Sequence, residues 1–452
     1  MSQDAHSDRA PVAIVGGGLA GSLSALYLAR RGYAVDVYEY RDDMRKGGAA
    51  GGRSINLALS ERGLNALRGV GLEERVRELC IPMHGRRIHP LGGDETQLQP
   101  YGEQGQFINS VSRRLLNEML MDEAESHERV NFHFGKKCAG FTRANGALRL
   151  KDEATGEFEF VEPDVILGAD GAYSQIRYRM QTTGGFEYSQ NYLTHGYKEL
   201  TIPPSDAGGW RIDKNALHIW PREDFMMIAL PNLDGSFTCT LFMPYEGEVS
   251  FDALHDADDV RAFFERWFPD AIPHLPRLEE EFFENPTGSL VTIRCAPYHF
   301  EDKALLIGDA AHAVVPFYGQ GMNAAFEDCF ELDRLVSRFE GDWSRILPEF
   351  SRIRKPNADA IADLAMYNYL EMRDLVSSPT FLLKKKVDRA LHLAMPDRWI
   401  PLYTMVSFTN IPYAEAKARA EHQDLLLKKA GQGLAAGAAF GLGALFLGRS
   451  RR

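Results

Sequence analysis

Val12-Ala13-Ile14-Val15-Gly16-Gly17-Gly18-Leu19-Ala20-Gly21 sets the architecture of the whole chain. Four apolar residues read as a buried strand, and Gly16, Gly18 and Gly21 carry the G-x-G-x-x-G spacing directly after it. Gly16 permits the tight strand-to-helix turn and Gly18 lets the backbone approach a pyrophosphate. Gly21 allows the helix to pack closely on a sheet. The helix predicted over about 19–30, with Leu19 and Ala20 in its first turn, aims its N–H groups and positive dipole end at the phosphates. A second strand, Ala34–Tyr38, ends at Glu39, the acidic position expected ~20 residues on to hold a ribose hydroxyl. Arg41 follows and is placed to face adenosine phosphates. A glycine turn in a nucleotide-free α/β protein is the plainer alternative, and strand, helix and acid in register weigh against it.

Two later motifs complete the set. Gly168-Ala169-Asp170-Gly171 closes a second apolar run, and Gly308-Asp309-Ala310-Ala311-His312 closes a third. The strand Ala304–Ile307 delivers Asp309, suited to accept hydrogen bonds from hydroxyls such as the ribityl chain of FAD. Pro316-Phe317-Tyr318-Gly319-Gln320-Gly321-Met322-Asn323 then leads into an amphipathic helix over about 323–338. Its small residues let backbone N–H groups approach a ring face, with Gly321, Met322 and Asn323 at the helix start. A helix N-terminus there stabilises the negative charge of a reduced flavin. His312 has no partner placed by sequence, so a packed or hydrogen-bonded histidine is favoured over a catalytic base. Each motif alone is weak evidence. In this order they indicate FAD and oxygen chemistry.

The ordered set resembles the single-component flavin aromatic hydroxylases, typified by 4-hydroxybenzoate hydroxylase. A narrower resemblance, to the kynurenine 3-monooxygenase family, rests on longer segments. They are Gly52-Arg53-Ser54-Ile55-Asn56-Leu57-Ala58-Leu59-Ser60-Glu61-Arg62-Gly63, Gln99–Gly102, His195–Leu200, Asn215–Pro221, Val315–Phe317 with Gly319–Asn323, and Asn368–Met372. The similarity runs from Val12 to about Ala420. It implies FAD as cofactor, NADPH and O2 as cosubstrates, oxygen activated at the flavin C4a position, and hydroxylation of L-kynurenine to 3-hydroxykynurenine. No catalytic acid or base is required of the protein, because the flavin carries the chemistry. No second G-x-G-x-x-G is present, so NADPH is expected to visit transiently, with Asp170-Gly171 and nearby loops helping to position the pyrophosphates.

The same resemblance implies the site residues. Arg86 matches the substrate arginine, and a planar guanidinium is the natural bidentate partner of an α-carboxylate. Arg87 alternates to the opposite strand face and is the weaker candidate. Tyr101 matches a carboxylate-binding tyrosine, while Asn368 and Tyr403 match further polar contacts. Glu371 and Met372 share a helix face with Asn368 at i+3 and i+4. Phe317 is expected as a pocket wall, and Tyr318 stands where some bacterial relatives have histidine. Arg113 matches a flavin-contacting arginine at the start of a helix, and Ala58 a flavin wall where a small residue is needed.

Composition bounds the rest. The chain has 452 residues, 44% hydrophobic and 25% charged, which is ordinary for a globular α/β protein of two or three domains. The formal net charge of −12 argues against a nucleic-acid partner. Five cysteines with no C-x-x-C fit free thiols in a reducing, cytoplasmic setting, and no metal-ligand spacing stands out. The N-terminal stretch 1–11 lacks an apolar core and is not expected to be a signal peptide. A discontinuous Rossmann-like FAD-binding domain is expected over 10–75, 105–180 and 290–340. A β-sheet substrate domain is expected over 80–104 and 185–289, with a helical region over 341–430 broken by the Pro-rich stretch 395–412. Asn232-Leu233-Asp234-Gly235 reads as a hairpin turn. The tail 431–452 is Gly-rich; 430–448 carries no charge, and Gly433, Gly437 and Gly441 recur every fourth residue. Its length suits a membrane anchor, yet its few large apolar residues make insertion marginal, and a buried or frayed helix fits equally. Two other functions keep the flavin motifs: hydroxylation of another aromatic acid, and a flavin-fold binding protein without catalysis.

Overall fold

The run Val12–Val15 is buried on every side, at 0–3% exposure, so it forms a strand inside a parallel sheet rather than at its edge. The computed structural model describes residues 10–47, 56–92, 95–102, 105–371 and 379–449. The chain opens with β1 (Val12–Val15), α1 (Leu19–Arg30) and β2 (Val35–Glu39). It continues through β3 (Asn56–Leu59), α2 (Glu61–Gly69), α3 (Glu73–Glu78), β4 (Cys80–Met83), β5 (Gly85–Ile88), β6 (Gln97–Pro100) and β7 (Ile108–Ser112). Then come α4 (Arg113–Glu125), β8 (Val130–Phe134), β9 (Lys136–Phe141), β10 (Leu148–Asp152), β11 (Phe158–Val161), β12 (Ile166–Gly168) and α5 (Gln175–Met180).

The second half holds β13 (Glu187–Ile202), β14 (Ala216–Arg222), β15 (Phe225–Pro231), β16 (Phe237–Pro244), α6 (Ala257–Trp267), α7 (Leu278–Glu284) and β17 (Gly288–Ala296). After β18 (His299–Phe300) and β19 (Ala304–Leu306) the chain is helical. The helices are α8 (Asp309–His312), α9 (Gly321–Arg338), α10 (Trp343–Leu370), α11 (Pro379–Ala394), α12 (Leu402–Phe408) and α13 (Tyr413–Arg449).

Six strands in the order β18-β19-β12-β1-β2-β8 build the first sheet, which holds the β1–Gly16–α1 turn. It is parallel except at β18–β19, with Val12 opposite Val35 and Ala13 opposite Ile166. Helix α1 packs against α4 and α9 and is buried from Gly21 to Ala29. Two small antiparallel sheets, β3-β7-β4 and β11-β10-β9, complete this half.

A seven-stranded sheet in the order β17-β13-β16-β15-β14-β5-β6 forms the other half. Its strands show why apolar runs can replace alternation. Phe225, Met227 and Ala229 of β15, with Cys239 and Leu241 of β16, point into an aromatic cluster with Phe263, Phe264 and Phe268 around α6. Met226 and Phe242 point the other way, to Phe317, Tyr369 and the C-terminal helices. Both faces are buried, so both sets of side chains are apolar. The turn at Asn232–Gly235 forms as the sequence predicts, with Gly235 at φ 89° and Asn232 N–H donating to the Ser236 carbonyl at 2.8 Å.

Several boundaries differ from expectation. Strand β17, which a division at 290 gives to the nucleotide half, pairs with β13 of the seven-stranded sheet. Strand β4, within the stretch 80–104 expected in the substrate domain, pairs instead with β7 in the small β3-β7-β4 sheet. Helix α9 begins at Gly321, two residues before the amphipathic pattern shows. The stretch 395–412 contains α12, because proline at its N-cap (Pro401) leaves the helix that follows intact. Helix α13 runs to Arg449, and no helix among the described residues is long and apolar enough to cross a membrane.

Candidate active site

The phosphate-binding turn is built by close approach. Gly16 has φ +103°, and a Cβ there would stand 2.5 Å from the Ala169 carbonyl oxygen. A Cβ on Gly21 would stand 1.9 Å from the Gly16 oxygen, so strand and helix touch backbone to backbone. At Gly18 a Cβ would meet nothing within 4 Å. That open space at the start of α1 is what a pyrophosphate needs. Glu39 closes β2 and is nearly buried, with Gly17 N–H donating to Oε2 at 2.9 Å and Arg41 N–H to Oε1 at 3.1 Å. Its carboxylate thereby fixes the turn. Arg41 itself is exposed and stacks over Tyr40 at 4.7 Å. Asn117 of α4 donates to the Gly17 carbonyl at 3.1 Å, a support the motif does not reveal. Its signal is a polar residue on the buried face of an amphipathic helix.

The third motif forms a second wall. Asp309 is exposed at the first position of α8, while Leu19 and Ala20 stay half-buried at the start of α1. Gly319, at φ +65°, places its α-carbon so that a Cβ would be 3.0 Å from that of Ala58. Gly321 and Met322 start α9. Asn323 is fully buried: its Nδ2 donates to the Ala58 and Gly319 carbonyls at 2.8 and 2.9 Å, and its Oδ1 accepts from Ser60 N–H at 2.9 Å. Its side chain therefore ties β3 and the Gly319 turn together, leaving only its backbone free to face outward. Arg113 is exposed at the first turn of α4, close enough to Tyr197 to offset part of the rise that burial gives that phenol's pKa. Asp170 is partly buried. One oxygen caps α5 by accepting from Gln175 and Ile176 N–H at 2.7 and 3.3 Å; the other is buried, and burial raises its pKa.

His312 does find a carboxylate. Its Nε2 lies 2.6 Å from Asp328 Oδ2, which also accepts from Gly308 N–H at 2.9 Å. Arg354 donates to Asp328 at 2.6 Å and also pairs with Glu327, which in turn pairs with Arg62. Burial pushes Asp328 up, but His312 and Arg354 prevail and hold it at about 2. Burial lowers His312, yet Asp328 leaves it above its ordinary value. This histidine is a structural ion partner behind the flavin loop, in keeping with the packed reading.

On the other side of that loop, Arg86 of β5 stands over a row of tyrosines. Its guanidinium is 4.9 Å from the Tyr403 ring centroid and 5.8 Å from that of Tyr101. Tyr101 and Tyr403 stack at 5.5 Å and 8°, and Tyr318 continues the stack on Tyr403 at 5.6 Å. Burial opposes the Arg86 charge, but Tyr403, Tyr101 and Glu371 around it more than offset that and keep its pKa raised. Burial likewise raises Tyr101 and Tyr403, with Arg86 drawing both down. No carboxylate among the described residues forms an ion pair with Arg86. Arg87 points to the opposite face and pairs with Asp213 at 2.7 Å.

Phe317 is buried and stacks on Tyr369 at 4.2 Å. Asn368 sits behind it, buried, and donates to the Phe317 carbonyl at 2.6 Å. Glu371 follows α10 and pairs with Lys385 of α11 at 2.7 Å. Met372 and Gly52–Ile55 lie outside the described residues. The structure thus brings Arg86, Tyr101, Tyr318 and Tyr403 together, with Phe317 and Asn368 beyond Tyr318.

Known proteins place this arrangement. The family model described as FAD binding domain matches residues 9–365. A kynurenine 3-monooxygenase of Flavobacterium johnsoniae is 49% identical over 418 residues, covering 92% of this chain and 93% of that protein. One of Sus scrofa is 46% identical, covering 93% of this chain and 89% of its own. Among solved structures, 2-methyl-3-hydroxypyridine-5-carboxylic acid oxygenase superposes with a TM-score of 0.66 at 21% identity, over 83% of this chain and 96% of that one. PqsL of P. aeruginosa gives 0.65 at 19% identity, over 81% and 97%. These two share the fold. The open phosphate cradle at Gly18 and the small-residue wall at Ala58 and Gly319 fit a bound flavin, and identity at this level over nearly the whole length leaves one assignment: the chain belongs to the kynurenine 3-monooxygenase family of FAD-dependent aromatic monooxygenases.

Proposed function

We propose that this protein hydroxylates L-kynurenine to 3-hydroxykynurenine, consuming NADPH and O2. The observation that carries this is Arg86: a half-buried cation beside the Tyr101 and Tyr403 rings, with no ion-pair partner among the described residues. A buried charge is tolerated when it is paired, and a substrate carboxylate is the natural complement. Arg86 receives the α-carboxylate of kynurenine, with Tyr101 and Tyr403 hydroxyls as additional donors. Tyr318, Phe317 and Tyr369 form the apolar wall that holds the aromatic ring and keeps water out. Asn368 keeps the Phe317 backbone in place, and Glu371 with Lys385 closes the pocket rim.

FAD, when bound, takes hydride from NADPH and activates O2. Gly16, Gly18, Gly21 and Glu39 hold its adenosine diphosphate end. Asp309 would accept from its ribityl hydroxyls, and the N-terminus of α9 would stabilise negative charge on the reduced ring. Kynurenine's own ring amino group directs oxygen to the adjacent carbon, so the residues need only orient and enclose. Titrating L-kynurenine into the yellow holoenzyme tests the site. The flavin spectrum is expected to shift saturably, and Arg86→Ala to weaken that binding ~10–100-fold, the worth of charge-assisted hydrogen bonds. An unchanged affinity in Arg86→Ala contradicts the placement of substrate.

A further inference from the structure

Asn215-Ala216-Leu217-His218-Ile219-Trp220-Pro221 singles itself out in the sequence, yet neither cofactor nor substrate accounts for it. Its polar side chains converge on the sheet face opposite Arg86. Strand β14 pairs in parallel with β5, Leu217 opposite Arg86 and His218 opposite Arg87. Arg87 and His89 therefore point away from the pocket, to the side of His218 and Trp220. There His89 Nδ1 lies 2.7 Å from Asp270 Oδ2, and His89 Nε2 lies 2.9 Å from His218 Nδ1. His218 Nε2 lies 2.8 Å from the Asp213 carbonyl. Trp220 donates to the same Asp270 oxygen at 2.8 Å and stacks on His89 at 4.0 Å. Arg222 donates to the His89 carbonyl at 2.9 Å. His89, His218, Trp220 and Arg222 are all buried.

The proton count follows from the partners. A carbonyl accepts only, so His218 Nε2 carries a hydrogen and Nδ1 is left as acceptor. His89 Nε2 then donates to His218, and its Nδ1 faces the Asp270 carboxylate. Every ring nitrogen of the two buried histidines has a partner, from the Asp270 carboxylate at the solvent-facing end to the Asp213 carbonyl. Burial drives His218 down to about 4, which keeps it the neutral member.

Strand β5 has only four residues, and its outer neighbour β6 is mostly exposed. A short strand beside an exposed edge has little sheet support of its own. We propose that the chain Asp270–His89–His218 is the positioning device for Arg86: by clamping β5 to β14 from behind, it fixes where the guanidinium stands above Tyr101 and Tyr403. These are positioning residues, and the proposal rests on the reading that Arg86 receives the substrate carboxylate.

The test uses the holoenzyme and two ligands, L-kynurenine and kynuramine, which lacks the carboxylate, each titrated against the flavin spectrum. His218→Gln and Asp270→Asn are expected to raise the dissociation constant for L-kynurenine ~10-fold, as losing a well-placed charged hydrogen bond does. Kynuramine should change by less than about twofold, the size of effects away from a contact, with FAD content unaltered. A merely structural role weakens both ligands together, and that result overturns the proposal, as does no change in either. Asp270, partly open to solvent with a side chain 42% exposed, serves where His218→Gln yields no yellow protein. Arg86→Ala separates the two failures. If it does not discriminate between the ligands, the carboxylate reading falls; if it does while both relay variants bind normally, only the positioning role falls.

Discussion

Asn368 shows how one residue can fit two roles that experiment separates. Its amide is buried and holds the Phe317 carbonyl at 2.6 Å, so its first effect is on the backbone that carries Phe317. Asn368→Ala leaves that carbonyl without this donor, and a stability loss of about 1–3 kcal/mol is expected, read as a lower thermal midpoint. Its effect on L-kynurenine affinity should be smaller than that of Arg86→Ala in the same titration. Arg86, Tyr101 and Tyr403 are legible in the sequence only through family resemblance. Arginine and tyrosine on short strands and in a Pro-rich stretch carry no pattern of their own, and only the folded chain brings these three distant positions into one stack. His312 illustrates the opposite limit. Its partner Asp328 lies on the buried side of α9, and a carboxylate on the apolar face of an amphipathic helix is the one hint the sequence offers of an ion pair.

Among the elements, the first strand, turn and helix are readable almost to the residue, because backbone sterics leave little choice. Any side chain at Gly21 meets the Gly16 oxygen, which would lie 1.9 Å from its Cβ. Gly21→Ala is therefore expected to force α1 off the sheet, costing more than the ~1–3 kcal/mol typical of overpacking. The check is absorbance of the purified variant: a colourless or weakly yellow protein is expected, and full FAD content contradicts it. Sheet membership is less legible. Strands β4 and β17 join sheets other than those their chain position suggests, since apolar runs say that a strand is buried and not which neighbour buries it.

Across the molecule, the helices are held together by the buried network of Arg62, Glu327, Arg354, Asp328 and His312. Asp328→Asn leaves Arg354 and His312 short of a counter-charge, and a loss of about 3–5 kcal/mol at neutral pH is expected. The pH dependence has a definite sign. Asp328 is depressed to about 2 from an ordinary 3.8, so its stabilisation is present above 3.8 and fades as pH falls through about 2. His218, depressed from 6.5 to about 4, likewise stabilises above 6.5 and loses that contribution as pH falls toward 4. Thermal midpoints measured from pH 7 downward should fall first over the histidine window, and His218→Gln should flatten that limb. Removing residues 430–452, beyond all the assigned site residues, is expected to leave turnover unchanged. Flotation of the full and shortened chains with liposomes reads out any membrane contact of the tail.

Kynurenine hydroxylation itself is decided by NADPH consumption of the purified holoenzyme with and without L-kynurenine, together with the mass of the product. Faster oxidation on adding L-kynurenine, and a product heavier by one oxygen atom, is expected. Equal oxidation rates and recovery of unmodified L-kynurenine would refute the assignment of substrate.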